Sequence, residues 1–348
     1  MKILTRKEQF GALFPDMPQW RLGQFEAALF HEGWRGWKDA SMLSLASRET
    51  CEKQIPWLSC KEVCVLESAK KDTYKAIVEV AGGHRVETVL MRNARGYWTV
   101  CVSSQVGCAM ACTFCATGKM GFLRNLTSDE IVDQYRFWKL FLDARANLEQ
   151  RISNVVFMGM GEPLANYDNV REAIGLLLKY TDMGPTRITV STVGLVPMLE
   201  HILNDLAWPP VRLAVSLHSA DSKTRQAIMP TSYEGFLEKL ADWTKRYFMK
   251  FGSRRRHLTF EYVMLSGVND MQLHAEALAK FSSSIGKVRV NLIPYNFTGS
   301  KYIQSQKKAM DMFQEMLERK DVIVTRRRTM GEDIAAACGQ LIVEGKKK

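Results

Sequence analysis

The spacing of apolar and polar positions changes after residue 67. Before that point, Phe25, Ala28, Leu29 and Trp34 follow helical spacing, and Asp39 and Ser41 offer caps to the next helix. Pro15, Pro18 and Pro56 punctuate the region. No two-residue alternation is visible, so residues 1–67 are expected to form a small helical domain. Residues 73–80 (TYKAIVEV) and 85–91 (RVETVLM) then alternate, parted by Gly82 and Gly83, and predict a β-hairpin.

From there strands and helices take turns. Strands are predicted at 97–104, 153–160, 187–192, 211–217, 257–265 and 287–293. Helical patterns lie between them at 128–144, 168–180, 222–229, 235–250 and 270–284. A last extended run at 321–327 precedes an expected C-terminal helix. Repeated βα units with apolar strands predict an α/β fold, a parallel sheet covered by helices. About six such units can curl into an open, partial (β/α)6 barrel, with the chemistry at the carboxyl ends of the strands. The expected division is a helical N-terminal domain, 1–67, and a catalytic domain, 68–348, that includes the β-hairpin extension.

Composition adds three constraints. The 348 residues are 46% hydrophobic and 24% charged, enough for a real core and too few charges for global disorder. The net charge of +11 favours a polyanionic partner, because neutralising phosphates releases counterions. The N-terminus lacks the apolar run of a signal peptide, and no stretch is apolar enough to span a bilayer. A cytoplasmic protein without membrane contact is expected. In a reducing compartment its eight cysteines should form no disulfide framework.

Four of those cysteines fall within fifteen residues, between Cys101 and Cys115. Cys108-Ala-Met-Ala-Cys112-Thr-Phe-Cys115 follows a predicted strand and puts three thiols on one loop. A structural zinc site would recruit a fourth Cys or His nearby, and none follows within twenty residues. An iron–sulfur cube takes four thiolates as a rule, so three leave one iron open to another ligand. Zinc and three unrelated buried cysteines stay open as alternatives. Gly159-Met-Gly161-Glu162-Pro163 ends another predicted strand, where glycines allow close backbone approach and Glu162 can accept from an ammonium group. Ser191-Thr192, Ser216-Leu217-His218 and Asn296 end later strands, so their polar groups fall on one rim. Any one of them alone also reads as a satisfied loop residue. Cys338, in Ala-Ala-Cys-Gly-Gln, is either an accessible thiol or a cysteine without chemistry.

These stretches together resemble the RlmN/Cfr family of radical S-adenosylmethionine (SAM) RNA methyltransferases. The matching segments are Cys101-Val-Ser-Ser-Gln-Val-Gly-Cys108, Cys112-Thr-Phe-Cys115, Arg124-Asn-Leu-Thr, Gly159-Met-Gly-Glu-Pro, Ser216-Leu-His-Ser, Asn291-Leu-Ile-Pro-Tyr-Asn296 and Gly331-Glu-Asp-Ile-Ala-Ala-Ala-Cys338-Gly-Gln. They keep the family's order from about residue 85 to 341. The resemblance implies a radical SAM barrel in which Cys108, Cys112 and Cys115 hold one [4Fe–4S] cluster. It implies that Gly161, Glu162, Ser191, Ser216, Leu217, His218 and Asn296 bind SAM. Cys338 would carry the methyl group as an S-methylcysteine intermediate, Cys101 would close a transient disulfide with it, and Glu87 would accept a proton. The implied reaction is methylation of adenosine C2 in 23S ribosomal RNA, with a transfer-RNA adenosine beside the anticodon as a second substrate. An electron donor such as a flavodoxin and a monomeric state are also implied. Phe297-Thr-Gly departs from the family's pattern after Tyr295.

Such chemistry explains the thiols. Adenine C2 and the sulfonium methyl of SAM are both electrophilic, so direct polar transfer fails, whereas a thiolate can take the methyl first. The basic clusters Arg254–Arg256 and Arg326–Arg328, with Lys119 and Arg124, fit a polyphosphate partner or, alternatively, a solvated charged face. Three readings compete with C2 methylation: Cfr-like methylation at C8, a zinc-containing RNA-binding module without catalysis, and a radical SAM enzyme of a small molecule. Val106 and Leu292-Ile-Pro-Tyr favour C2 over C8.

Overall fold

The computed structural model describes residues 3–251, 258–286 and 288–341. Arg254–Arg256 and the Lys346–Lys348 tail lie outside the described residues. The chain opens with helices α1 (Arg6–Leu13), α2 (Gln19–Ala28) and α3 (Leu45–Gln54). A capping box starts α1: Thr5 Oγ1 accepts from the Glu8 N–H, and the Glu8 carboxylate accepts from the Thr5 N–H. Ser44, not Asp39 or Ser41, caps α3, its hydroxyl accepting from the Ser47 N–H. Asp39 instead accepts from the N–H groups of Arg35 and Gly36 and closes a turn. Phe10, Phe25, Ala28, Trp37 and Ile55 form the small core of this region, and Trp34 lies past the end of α2, stacked on His31.

The same region ends in a strand, β1 (Lys61–Glu67), where helix is expected. Its KEVCVLE sequence does not alternate cleanly because it is a largely exposed edge strand with a bulge between Glu62 and Cys64. The backbone donors and acceptors of β2 (Thr73–Val80), not periodicity, make it a strand. β2 and β3 (His84–Arg92) form the predicted hairpin, with Gly82 and Gly83 in the left-handed region at the turn, φ 79° and 72°.

The remaining strands are β4 (Trp98–Cys101), β5 (Gln105–Gly107), β6 (Phe122–Asn125), β7 (Ile152–Phe157), β8 (Ile188–Thr192), β9 (Arg212–Ser216), β10 (Leu258–Met264), β11 (Arg289–Pro294) and β12 (Ile323–Arg326). Helices α4 (Ala116–Lys119), α5 (Ser128–Asp143), α6 (Tyr167–Tyr180), α7 (Val196–Asn204), α8 (Ser222–Ile228), α9 (Phe236–Phe251), α10 (Gln272–Ile285) and α11 (Lys307–Glu318) connect them. One ten-stranded sheet runs β1-β2-β3-β4-β7-β8-β9-β10-β11-β12, and β5 pairs with β6 apart from it. β1 to β4 are antiparallel neighbours, and from β4 through β12 every pair is parallel. The predicted α/β fold with a parallel sheet and a helical N-terminal region is thus present. Residues 105–107 and 122–125 had no strand signal, since each is too short to show a period.

After β12 the expected C-terminal helix is replaced by a single 3₁₀ turn, Glu332–Ile334, between left-handed Gly331 (φ 66°) and Ala335 (φ 50°). Through residue 341 the segment makes a few turn hydrogen bonds within itself and is otherwise held by other elements. The Ala69 N–H donates to Asp333 at 2.7 Å, and Lys75 Nζ donates to the Ala335 carbonyl at 3.1 Å.

A buried charge network fastens α1 to α5. Arg6 forks onto Asp129 and Asp133 (3.0 and 2.8 Å), and Arg136 adds a second guanidinium to Asp133. Asp133 Oδ2 also accepts from the Ser59 N–H and hydroxyl, and Cys60 Sγ donates to the Asp133 carbonyl. Burial opposes ionisation of Asp133, but Arg6 and Arg136 outweigh it and hold its pKa down at about 2. Removing one partner leaves buried charge unpaired. Asp133→Ala is therefore expected to destabilise the protein by roughly 3–5 kcal/mol in chemical denaturation. Because its folded pKa is depressed, the Asp133 contribution is present above the ordinary aspartate range and disappears as pH falls towards 2. A denaturation midpoint unchanged by the substitution would contradict this.

Candidate active site

A single cavity collects the carboxyl ends of β7 through β12, from Phe157 on the first to Arg327 just past the last. In a flat sheet those six ends would spread over about 24 Å, at roughly 4.8 Å per strand. Sharing one cavity requires the sheet to curl around it. The cavity is lined by Cys108, Cys112, Cys115, Gly161, Glu162, Ser191, Ser216, His218, Asn296 and Cys338.

Two hydrogen bonds and the start of a helix fix the cysteine loop. The Cys108 N–H donates to the Gly121 carbonyl, the Thr113 N–H donates to the Ile228 carbonyl at the end of α8, and Cys115 precedes the short α4. Gly118 allows the loop to fold back, because a Cβ there would lie 2.9 Å from the Cys112 carbonyl oxygen. Burial pushes the Cys108 thiol up to about 11, with Cys115 adding to it, and pushes Cys112 further, with Cys115 and Cys108 adding. Cys115 is raised by burial too, against hydrogen bonds from the backbone N–H groups of Gly118 and Thr117. Among the described residues, no three His, Cys, Asp or Glu side chains converge tightly enough for a single metal ion. The three thiols border one cavity. Arg225 Nη1 is buried beside Cys112 without a hydrogen-bond partner, a donor ready for anionic charge. The donor set fits three thiolate ligands to a cluster.

Glu162 ties two strand ends together. Its Oε1 accepts from the Leu164 N–H (2.9 Å) and its Oε2 from the Val193 N–H (2.8 Å). Burial still lifts its pKa to about 7, the bonds from Val193, Thr192 and Leu164 working the other way. Gly161, at φ 101°, is required for packing: a Cβ there would lie 2.5 Å from Gln105 Cβ. The glycine thus lets β7 exit against β5 as well as bordering the cavity.

His218 is buried at φ 56°, edge-on to Phe114, which lies between Cys112 and Cys115. Its Nδ1 accepts from the Val263 N–H at 3.0 Å, which fixes the proton of the neutral ring on Nε2. Leu217 is placed differently from its neighbours. Its side chain is in the hydrophobic core, its N–H donates to the Glu261 carbonyl and its carbonyl accepts from Arg225 Nε, so only its backbone is near the rim.

The loop bearing Cys338 crosses the cavity between two rims. The Ala116 N–H donates to the Gly339 carbonyl, and Thr117 Oγ1 donates to the Leu341 carbonyl. On the other side Asn296 Nδ2 donates to the Cys338 carbonyl (3.2 Å) and Gln340 Nε2 to the Phe297 carbonyl (3.0 Å). Cys338 is exposed, and Cys101 is buried near it. Burial, followed by the proximity of Cys338, pushes Cys101 up to about 12. No disulfide joins them: both thiols are free. Glu87 does not border this cavity. It sits on β3, in a buried ion pair with Lys75 at 3.1 Å.

Three basic residues have jobs other than gripping phosphate. Arg124 forks onto Glu130 at 2.8 Å through both terminal nitrogens and donates to the Ala81 carbonyl, clamping β6 to the start of α5. Arg326–Arg328 is not one surface cluster. Strand alternation sends Arg326 outward to Asp311 and turns Arg327 into the cavity, 3.6 Å from Glu261 and near both Cys338 and Cys101. Period-two counting along 321–327 could have separated them. Arg225, Lys75 and Glu261 escaped the sequence reading because a lone charge in an apolar strand or helix carries no motif.

Comparisons with known proteins agree with this geometry. Residues 102–278 match the Radical SAM superfamily model, about half of the chain. The chain belongs to the radical SAM superfamily, whose members use a [4Fe–4S] cluster and SAM. Within it, the chain is similar to a radical SAM methyltransferase from Sphaerobacter thermophilus, at 33% identity and TM-score 0.88 over 98% of both chains. It has the fold of a radical SAM methyltransferase from end to end. Weaker likenesses are to a domain of a pyruvate-formate lyase-activating enzyme from Bacteroides vulgatus ATCC 8482 (19% identity, TM-score 0.38, 51% of this chain and 99% of that one) and to Streptococcus suis SuiB bound to SAM (14%, 0.42, 65% and 46%). Among the described residues no helix is long and apolar enough to cross a membrane.

Burial, followed by the charge of Arg225, lowers His218 to about 3. The ring is expected to stay neutral from pH 5 to 8 by nitrogen NMR. A depressed histidine pKa means the unfolded chain takes up the proton first. Its contribution to stability is therefore complete above the ordinary histidine range and is lost as pH falls towards 3. A His218 titration near pH 6.5 would contradict the burial and the Val263 bond.

Proposed function

We propose that the protein methylates C2 of an adenosine in RNA, taking 23S ribosomal RNA and a transfer-RNA adenosine beside the anticodon, with Cys338 carrying the methyl group. The observation that carries this reading is the Cys338 loop. It is strapped across the cavity by Ala116, Thr117 and Asn296, and puts an exposed sulfur between the cluster cysteines and buried Cys101. A radical SAM enzyme of small molecules has no use for a second thiol pair held this way.

When bound, the cluster and SAM supply the methyl carbon and the hydrogen-atom abstraction. Cys108, Cys112 and Cys115 hold the cluster; Gly161, Glu162, Ser191, Ser216, His218 and Asn296, with the Leu217 backbone, hold SAM. The Cys338 sulfur offers its methyl carbon to the base, and Glu87 takes the base proton. The Cys101 thiolate then attacks the Cys338 sulfur; the S–C bond breaks with its electron pair going to the carbon attached to the base, which takes up a proton to become the methyl group, and methylated RNA leaves as the disulfide forms. Reduction from outside resets the disulfide, and an electron donor such as a flavodoxin would supply the cluster. The basic chain charge, Lys119 and residues 1–67 serve RNA docking, and the base must be unpaired or flipped to reach the cavity.

Anaerobic assay on ribosomal RNA fragments with mass mapping tests the reading. 2-Methyladenosine is the expected product; 8-methyladenosine would transfer the assignment to C8, and no modified nucleoside would end it. Cys338→Ala should abolish turnover yet keep the brown absorbance, while Cys101→Ala should trap protein covalently on RNA. Free product from Cys101→Ala would remove its resolving role.

A further inference from the structure

One aromatic side chain at the cavity rim is held out to solvent by a loop pinned along its length. Phe297 is 67% exposed, whereas Tyr295 and Tyr302 of the same loop are buried. Among the described residues no aromatic ring stacks on it. The Tyr295 hydroxyl accepts from the Thr298 N–H at 3.2 Å and shares hydrogen bonds with the hydroxyls of Thr298 (2.8 Å) and Ser300 (2.6 Å). Thr298 Oγ1 donates to the Phe114 carbonyl, and the Tyr302 hydroxyl bonds to Thr113 Oγ1, so the loop is tied twice to the cysteine loop. It is tied to the Cys338 segment as well. Gln340 Nε2 donates to the Phe297 carbonyl at 3.0 Å, and Asn296 Nδ2 to the Cys338 carbonyl at 3.2 Å. A lone exposed apolar residue is ordinary. One whose backbone is already immobilised binds a partner with little further loss of freedom, as recognition aromatics do.

The charge around Phe297 narrows the choice of partner. Segments 114–125 and 294–306 meet at this loop. They contain Lys119, Arg124 and Lys301 and no aspartate or glutamate, in a chain with 37 acidic residues. Lys119 is exposed, and its Nζ donates to the Thr298 carbonyl at 3.2 Å, one residue from Phe297. Lys301 is exposed four residues further on, while Arg124 is engaged by Glu130. The acidic residues closest in sequence to Cys338, Glu332 and Asp333, lie on the other side of it from Gln340, and Asp333 accepts from the Ala69 N–H ahead of β2. An aromatic face beside ammonium groups suits a nucleobase and its phosphates.

We propose, resting on the RNA-methylation reading above, that Phe297 stacks on the base of a nucleotide next to the target adenosine. Swinging one base out of a stack uncovers a face on each of its neighbours. An aromatic ring waiting beside Cys338 covers one of those faces and so favours the swung-out arrangement over the stacked one. Every base has a π-face, so the contact does not depend on which base the neighbour is. Lys119 and Lys301 meet the phosphates on either side.

The test is equilibrium binding of the cluster-loaded enzyme to the ribosomal RNA fragment on which mass mapping finds the methyl group, with no reductant added so that nothing turns over. Three forms of the fragment are compared: the unaltered one, and two with an abasic nucleotide on the 5′ or the 3′ side of the target. Phe297→Ala should loosen binding to the unaltered fragment roughly 5- to 150-fold, the range that corresponds to about 1–3 kcal/mol for a base stacked on an aromatic ring. Phe297→Trp, which keeps a ring face, should retain most of the affinity. At one of the two positions the abasic nucleotide should weaken the unaltered enzyme at least about fivefold more than it weakens Phe297→Ala. Comparing the two proteins cancels whatever the missing base does to the RNA itself. Because Phe297 is exposed, the melting temperature of Phe297→Ala should match that of the unaltered enzyme. Equal affinities of Phe297→Ala and the unaltered enzyme would overturn the proposal. So would abasic losses that are the same in both proteins at both positions, or a Phe297→Leu variant that binds as tightly as Phe297→Trp. If the unaltered enzyme methylates no RNA fragment, the functional reading itself fails and the Phe297 assignment falls with it; methylation without the Phe297 effects sinks the assignment alone.

Discussion

Three thiols sharing one pocket resist ionisation. Each of Cys108, Cys112 and Cys115 is pushed up by burial, and each negative charge makes the next harder to form. Cationic iron reverses that balance, since it binds only thiolates and repays their desolvation. Most of the cavity can be understood as serving this one constraint. Gly118 folds the loop tightly, backbone N–H groups face Cys115, and the Arg225 guanidinium lies behind Cys112.

The rim around the cysteines is held by buried polar bonds, not by the apolar core alone. Glu162 binds the exit of β7 to that of β8, Arg225 binds β8 to β9 through the carbonyls of Val193 and Leu217, and Asn269 Nδ2 donates to the His218 and Val263 carbonyls. Leaving any of these buried groups unpaired costs more than the bond itself contributes. Strand ends that would fray in a simple sheet are thereby fixed around a ligand-sized space. The Cys338 loop is a wall with no strand of its own, and it depends on borrowed bonds from Lys75, Ala116, Thr117 and Asn296.

Much of the fold was legible. The β2–β3 hairpin, the parallel strands and helices α6 and α10 follow their apolar periods closely, each of these helices burying one face, whereas α5 was legible although it is buried on nearly every side. β1, β5 and β6 were not legible, being exposed at an edge or only a few residues long. After 321–327 a helix was expected, but left-handed Gly331 and Ala335 and the pull of β2 exclude it near residue 335. At the site, the cysteine spacing and the polar strand ends could be read directly. The burial of Arg327 beside Glu261, the seating of Arg124 on Glu130 and the Lys75–Glu87 pair could not, since each needs a partner far away in sequence. The interlock of Arg6, Asp129, Asp133 and Arg136 likewise shows that the N-terminal helices are fastened to α5 rather than standing apart.

The central claim is that three cysteines hold a cube with one iron open to SAM. Electron paramagnetic resonance of the reduced, anaerobically reconstituted protein tests it most directly. The account predicts a [4Fe–4S] signal that changes shape when SAM is added, because an open iron gains new ligands. A colourless protein containing zinc, or a cluster signal indifferent to SAM, would contradict it.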